Sequence, residues 1–200
     1  MIIGPKYKIC KRLGSNIFEK CQTKAYATAA QRVSDKSPRR NNSDFKRQLL
    51  EKQKLRLIYS LTEKQFSTYV FEALESGESP SHYLFGRLET RLDAFVYRTG
   101  LVATRRAARQ LTAHGHFMVN GRRITVPSYR LSVGDKVALR DPSRESPIFQ
   151  GLEDKLKDHK TPTWITFDPD SKEATLTALP AWGEQDSIVD FGAVFEYYTR

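Results

Sequence analysis

Between Ala103 and Ile124 the sequence reads ATRRAARQLTAHGHFMVNGRRI, with five arginines and no acidic residue. An arginine guanidinium is a planar fork that donates two parallel hydrogen bonds to a phosphate and keeps its charge at physiological pH. On a helix, at about 100° per residue, Arg105, Arg106 and Arg109 fall within an arc of roughly 100°. Ala107, Ala108 and Leu111 then lie on the opposite side, small enough to let such a helix sit close to its support. From Arg91 to Ile124 seven arginines stand against a single acid, Asp93. Solvated surfaces mix the two signs, so this stretch reads as a binding face for a polyanion rather than a site of bond-breaking. His114 and His116 could form an acid–base or metal pair, but with no carboxylate near them in sequence they read as surface or RNA-contacting groups.

Such a face needs elements to hold it. Thr104 is a suitable N-cap for a helix running to about His114, and Gly115 stands where a left-handed C-terminal residue is wanted. Asn120-Gly121 is the favoured pair for a type I′ hairpin turn, predicting two short strands over HFMVNGRRI with Arg122 beside the helix tip. Backbone and shape contacts of this kind suit folded RNA, whose deep major groove side chains read poorly. No aromatic stacking pair of the RNP type and no KH-type loop appears.

The rest of the chain is polarised. Residues 1–60 carry fifteen Lys/Arg against four acids, residues 61–140 twelve against seven, and residues 141–200 six against twelve. The net charge of +10 and a pI near 9.6 are the electrostatic footprint of a nucleic-acid binder. No apolar run approaches the roughly eighteen residues of a membrane span, and no secretory core follows Met1-Ile2-Ile3. Two cysteines give no disulfide framework, which points to a reducing compartment.

The segment DKSPRRNNSDFKRQ reads as an exposed basic loop that orders against a partner. Ser43 or Asp44 caps a helix over FKRQLLEKQKLRLIYS, and Thr62 with Gln65 has the capping-box spacing for the next. That second helix turns Phe66, Tyr69, Val70, Ala73 and Leu74 to one face, and Gly77 and Pro80 end it. Further helical turns direct Leu84, Leu88, Leu92, Phe95 and Val96 inward until Gly100. Gly134-Asp135 predicts a turn between two strands, PIFQGLEDKLKDHK a charged linker helix, and TWITF with ATLTAL a hairpin around DPDSKE. The closing SIVDFGAVFEYYTR is β-branched and aromatic, so short strands are expected in the middle and at the end of an otherwise helical α+β protein.

The run RLDAFVYRTGLVATRRAARQLTAHGHFMVNGRRITVPSYRLSVGD resembles the small RNA-binding module named after ribosomal protein S-four. FKRQLLEKQKLRLIYSLTEKQF is similar to the helical segment preceding it in that family, while GPKYKICKRLG, KTPTWITF and VFEYYTR resemble its opening and closing segments. The resemblance is to the bacterial or organellar type and covers nearly the whole chain. It implies a basic extension over residues 1–43, a helical domain over 44–90 completed by 180–200, an inserted α/β RNA-binding module over 91–150, and a linker helix and β-hairpin over 151–179. It further implies a structural constituent of the small ribosomal subunit, not an enzyme. Such a protein binds the 5′ domain of small-subunit rRNA, nucleates subunit assembly, and lies near the mRNA entrance beside proteins S-three and S-five. By position, Arg91, Arg98, Thr104, Arg105, Arg106, Arg109, Gln110, His114, Asn120 and Arg122 fall on the module's RNA-facing motif. Arg39, Arg40, Lys46 and Arg47 fall in the stretch that faces rRNA and the mRNA path. The expected location is the ribosome of the cytoplasm, with an organellar ribosome left open.

The chain departs from the family at the four cysteines that hold zinc in many members. Tyr7 replaces the first, Cys10 and Cys21 remain, and Ala25-Tyr26 fill the region of the fourth. Two thiolates do not close a tetrahedral structural site, so no metal or other cofactor is expected. Two other functions weigh less. A stand-alone RNA-binding regulator or chaperone could use the same module. RLDAFVYRTGL is also faintly similar to the catalytic run of pseudouridine synthases, with Asp93 as nucleophile, but residues 1–90 lack the large mixed sheet those enzymes require, and Asp93 reads equally as a helix-pairing residue.

Overall fold

The computed structural model describes residues 3–24, 26, 28, 43–149, 159–168, 171–182 and 189–200. Two compact units emerge, Met1–Ser81 with Gly183–Arg200 and His82–Trp182. Arg39, Arg40 and residues 150–158 of the expected linker helix lie outside the described residues.

The first unit is helical. α1 (Lys6–Leu13) occupies a stretch where only a basic extension is expected. It buries Cys10 and Leu13, three positions apart, and ends on Gly14 at φ 64°, whose N–H returns to the Cys10 carbonyl. A 3-10 turn over Glu19–Gln22 brings Cys21 beside them, and with Phe18 and Leu57 they form a small apolar cluster. The extension is therefore folded through residue 24. Its helix is too short for hydrophobic periodicity to stand out from the lysines around it.

α2 (Asp44–Ile58) and α3 (Glu63–Glu75) open as expected, with Ser43 accepting from the Lys46 amide and Thr62 from the Gln65 amide. α3 buries Phe66, Tyr69, Val70 and Ala73 along one stripe. The aromatic stretch at the far end of the sequence is a helix, α8 (Phe191–Tyr198), not a strand. Asp190 accepts from the Ala193 amide, and that cap overrides the local β preference. α8 is fastened to α2 and α3 by Gln48 Nε2–Glu196 Oε2 at 2.8 Å and by the Tyr198 hydroxyl donating to Glu63 Oε1 at 2.7 Å. Lys52 Nζ donates to the same Glu63 oxygen at 2.6 Å and stands 4.5 Å from the Tyr197 ring centroid.

The second unit is α/β. α4 (Pro80–Glu89) leads into it, followed by α5 (Leu92–Arg98) and α6 (Arg105–His114). β1 (Phe117–Val119), β2 (Arg122–Arg123), β3 (Lys136–Leu139), β4 (Ile165–Asp168) and β5 (Glu173–Leu176) make one antiparallel sheet in the order β2-β1-β3-β5-β4. A single turn, α7 (Asp141–Arg144), and a 3-10 turn at Pro147–Phe149 follow β3. The core lies between the sheet and α5–α6, where Leu92, Phe95, Val96, Phe117, Val137, Leu139 and Leu176 are sealed from solvent. Each such side chain contributes about 1.5–3 kcal/mol.

The second unit spans His82–Trp182. Two expectations change here. The β4–β5 hairpin belongs to the same sheet, paired through β3, and is not part of a separate linker. Gly134-Asp135 opens β3, but the segment before it makes only an isolated bridge, Arg130 to Arg91. That segment instead serves α5, whose Leu92 and Asp93 amides donate to the Tyr129 and Pro127 carbonyls. Helix-start donors that would otherwise be stranded are satisfied in this way.

Candidate nucleic-acid interface

α6 forms as its sequence dictates. Thr104 Oγ1 accepts from the Ala107 amide at 3.1 Å, and Gly115, at φ 75°, closes the last turn through the Leu111 and Thr112 carbonyls. Ala108 and Leu111 are buried, with Ala107 packed against the same core. The hairpin turn is as expected, with Asn120 at φ 49° and Gly121 at φ 76°, both left-handed as a type I′ turn demands.

The arginines take different places in the fold. Arg106 on α6 and Arg122 on β2 are exposed, as are Gln110 and His114. Arg91, Arg98, Arg105 and Arg109 turn toward acids instead. Arg91 is wholly buried, and its guanidinium makes a bidentate pair with Asp93, at 3.0 Å to Oδ1 and 2.7 Å to Oδ2. Arg109 Nη1 stands 3.6 Å from the same carboxylate. Glu89, also wholly buried, accepts from Arg98 at 2.9 and 3.0 Å and from Arg105 at 2.9 Å. Arg105 additionally lies over the Tyr97 ring, 4.6 Å from its centroid. The expectation that Arg91 faces RNA is therefore corrected, because its charge is spent inside the fold. Arg98, Arg105 and Arg109 keep partly exposed side chains, at 25%, 14% and 28%.

The hairpin is braced from both ends. Asn120 Nδ2 donates to Asp135 Oδ1 at 2.8 Å and its Oδ1 accepts from the Lys136 amide at 2.9 Å, so this side chain fixes the turn. Arg123, not Arg122, reaches the helix tip, with Nη2 donating to the His114 carbonyl at 3.0 Å. A cation at a helix C-terminus is favoured there by the macrodipole. The two-residue turn pairs Val119 with Arg122 and Met118 with Arg123, so the two arginines point to opposite faces. That alternation could have singled out Arg123, which sequence reasoning missed along with exposed Arg130 and Lys136. Glu89 was missed as well, and no local spacing signals it, because its partners lie nine and sixteen residues away.

His116 is half-buried, with Nδ1 3.0 Å from Ser143 Oγ. Burial first, and then the neighbouring His114, Arg140 and Arg123, push its pKa below the ordinary value. It is a packing residue rather than a surface cation. Lys46 and Arg47 lie exposed in the first turn of α2. Cys10 and Cys21 are buried together, and burial, then the hydrogen bond to Cys10, pushes the Cys21 thiol up to about 12. Among the described residues no cluster of three His, Cys, Asp or Glu side chains is placed to hold a metal. Asp93 has both oxygens engaged by Arg91, the pairing role its position allows.

Residues 1–89 match the family described as ribosomal protein S4/S9 N-terminal domain, and residues 90–137 match the S4 domain. The protein is 37% identical over 203 residues to small ribosomal subunit protein uS4 of Pelotomaculum thermopropionicum, covering 98% of each chain. It is 37% identical over 199 residues to uS4 of Lactiplantibacillus plantarum, covering 98% of this chain and 97% of that one. It is 36% identical over 198 residues to uS4B of Clostridium acetobutylicum, covering 99% and 97%. An arginine-bearing helix and hairpin, set in a sheet and matched along with the helices before them, agree with these likenesses: the chain belongs to the S-four family of small ribosomal subunit proteins.

Proposed function

We propose that this protein is a structural constituent of the small ribosomal subunit that binds small-subunit rRNA through the outward side of α6 and the β1–β2 hairpin. The observation that carries the reading is that corner itself. A capped helix and a two-residue turn hold Arg106 and Arg122 outward, while Arg123 ties the hairpin to the helix end. Guanidinium groups on a rigid frame recognise phosphates at fixed spacing, which is what a folded RNA surface offers. Relatives over the full length that are named small-subunit proteins support the same reading.

In finer terms, the target is the 5′ domain of that rRNA, where binding nucleates assembly. The protein then lies near the mRNA entrance beside S-three and S-five, and Arg39, Arg40, Lys46 and Arg47 face rRNA and the mRNA path. Its place is the ribosome of the cytoplasm, and its role is architectural rather than catalytic.

The full chain titrated onto a 5′-domain transcript at several salt concentrations tests this. Affinity falls with salt by about 0.7–0.9 log units per phosphate neutralised for each log unit of salt. A flat profile would overturn the reading. In cell extracts the protein co-sediments with small subunits in high salt. A free distribution would point instead to a regulator acting outside the ribosome.

A further inference from the structure

We propose that Tyr129 is a stacking platform for an unpaired base of the bound rRNA, with Arg130 beside it in the chain to meet a phosphate of the same strand. The inference rests on the rRNA-binding reading above and adds a contact of a different kind. Val126 to Tyr129 is a tight turn, closed by the Tyr129 amide donating to the Val126 carbonyl at 3.1 Å, and Pro127 in its second position fixes φ there. The turn is bolted to the start of α5. The Leu92 amide donates to the Tyr129 carbonyl at 2.9 Å and the Asp93 amide to the Pro127 carbonyl at 3.1 Å, while the Leu131 amide donates to the Thr90 carbonyl at 2.9 Å. The backbone is held on both sides of Tyr129.

Its side chain has no such anchor. Tyr129 is 38% exposed, and Val126 at the other end of the turn is exposed as well. Among the described residues, neither the Tyr129 ring and hydroxyl nor the Arg130 guanidinium has a hydrogen-bond, ion-pair or ring partner. A tyrosine mounted on a fixed backbone has few torsions left to lose, so it offers its area at little entropic cost. An aromatic face takes any base, and bases splayed out of folded RNA stack on such faces. Charge favours RNA over a protein as the cover for this ring. From Asn120 to Gly134 there are three arginines and no acid. The turn also adjoins the arginine-bearing helix α6, because Asp93, whose amide reaches Pro127, has its carboxylate 3.6 Å from Arg109 Nη1.

Tyr129→Ala in the full chain should bind the 5′-domain transcript about 5- to 150-fold more weakly than native protein, with its salt slope unchanged. Tyr129→Phe keeps the ring and should keep the affinity. Arg130→Ala should differ in kind, its slope shallower by about 0.7–0.9, the mark of one phosphate lost. An unchanged slope there removes Arg130 from the contact. Native affinity in Tyr129→Ala, or a loss that comes only through the salt slope, overturns the stacking role. A second measurement uses native protein, so that no variant has to fold. Tetranitromethane should nitrate Tyr129 in the free protein and spare it in the complex, as peptide mass spectrometry would read, whereas equal nitration in both overturns the role. Should Tyr129→Ala bind the transcript normally yet be missing from small subunits in cell extracts, the ring meets a protein and the base-stacking role falls. Native protein that ignores the transcript overturns the RNA reading itself and this contact with it.

Discussion

Arg106 and Arg91 stand fifteen positions apart in one basic run, and the fold gives them opposite tasks. Arg106 is exposed, so Arg106→Ala should weaken RNA binding by about 1–3 kcal/mol while leaving the thermal midpoint where it was. Arg91 is sealed inside against Asp93. Removing one member of a buried ion pair leaves the other charge uncompensated, so Arg91→Ala should cost about 3–5 kcal/mol of stability, read by denaturant unfolding. Loss of RNA binding by the Arg91 variant at temperatures where it stays folded would reverse this assignment. The Cys21 thiol offers a separate check. Its raised pKa keeps it protonated and unreactive at pH 7–8, so alkylation by iodoacetamide should be slow in native protein and rapid once the chain is unfolded. The arginine spacing was legible in sequence and the sorting was not. Helical arcs place Arg105, Arg106 and Arg109 together, but only the arrival of α4 and α5 shows which of them meets Glu89 or Asp93.

Elements were more readable than partners, because caps and turns act within a few residues. Thr104, Gly115 and Asn120-Gly121 each specify a local backbone conformation, and all take the one expected of them. The element that escaped was α8, where Asp190 and the docking contacts of Gln48 and Glu63 outweigh a β-rich composition. α1 escaped for a different reason, since its two buried residues are too few to display a period. Thr104→Ala tests the reading of α6. Losing the cap bond to the Ala107 amide should lower stability by about 0.5–2 kcal/mol, with Thr104→Ser restoring most of it. Equal stability of the alanine variant would show that the helix start is fixed by α5 instead.

Across the molecule, each unit is completed by a segment remote in sequence. In the first, Glu63 and Tyr198 join α3 to α8, and their titrations work in opposite directions. Burial alone would raise Glu63, but the hydrogen bonds from Lys52 and Tyr198 and the charges of Lys52 and Arg56 win, and its pKa falls below the ordinary 4.5. Its contribution is present above pH 4.5 and is lost as the pH drops through the lowered value. Tyr198 is pushed above its ordinary 10.0 by burial and then by its bond to Glu63. Its contribution is complete below pH 10.0 and is lost as the pH climbs through the raised value. The stability advantage of native protein over Tyr198→Phe should therefore be greatest near neutrality and shrink at both extremes, as denaturant midpoints across pH would record. A constant difference would remove the pair from the docking of α8.

In the second unit, the sheet order sets a timetable. A chain emerging from synthesis N-terminus first exposes β3 well before β5, its neighbour on the open side. Until residues 173–176 have been made, the backbone donors and acceptors along that side of Lys136–Leu139 have only water or a stray strand to pair with. Truncation after residue 150 should thus yield a sticky, partly formed domain, even though the stretch matched as the RNA-binding module ends earlier, at residue 137.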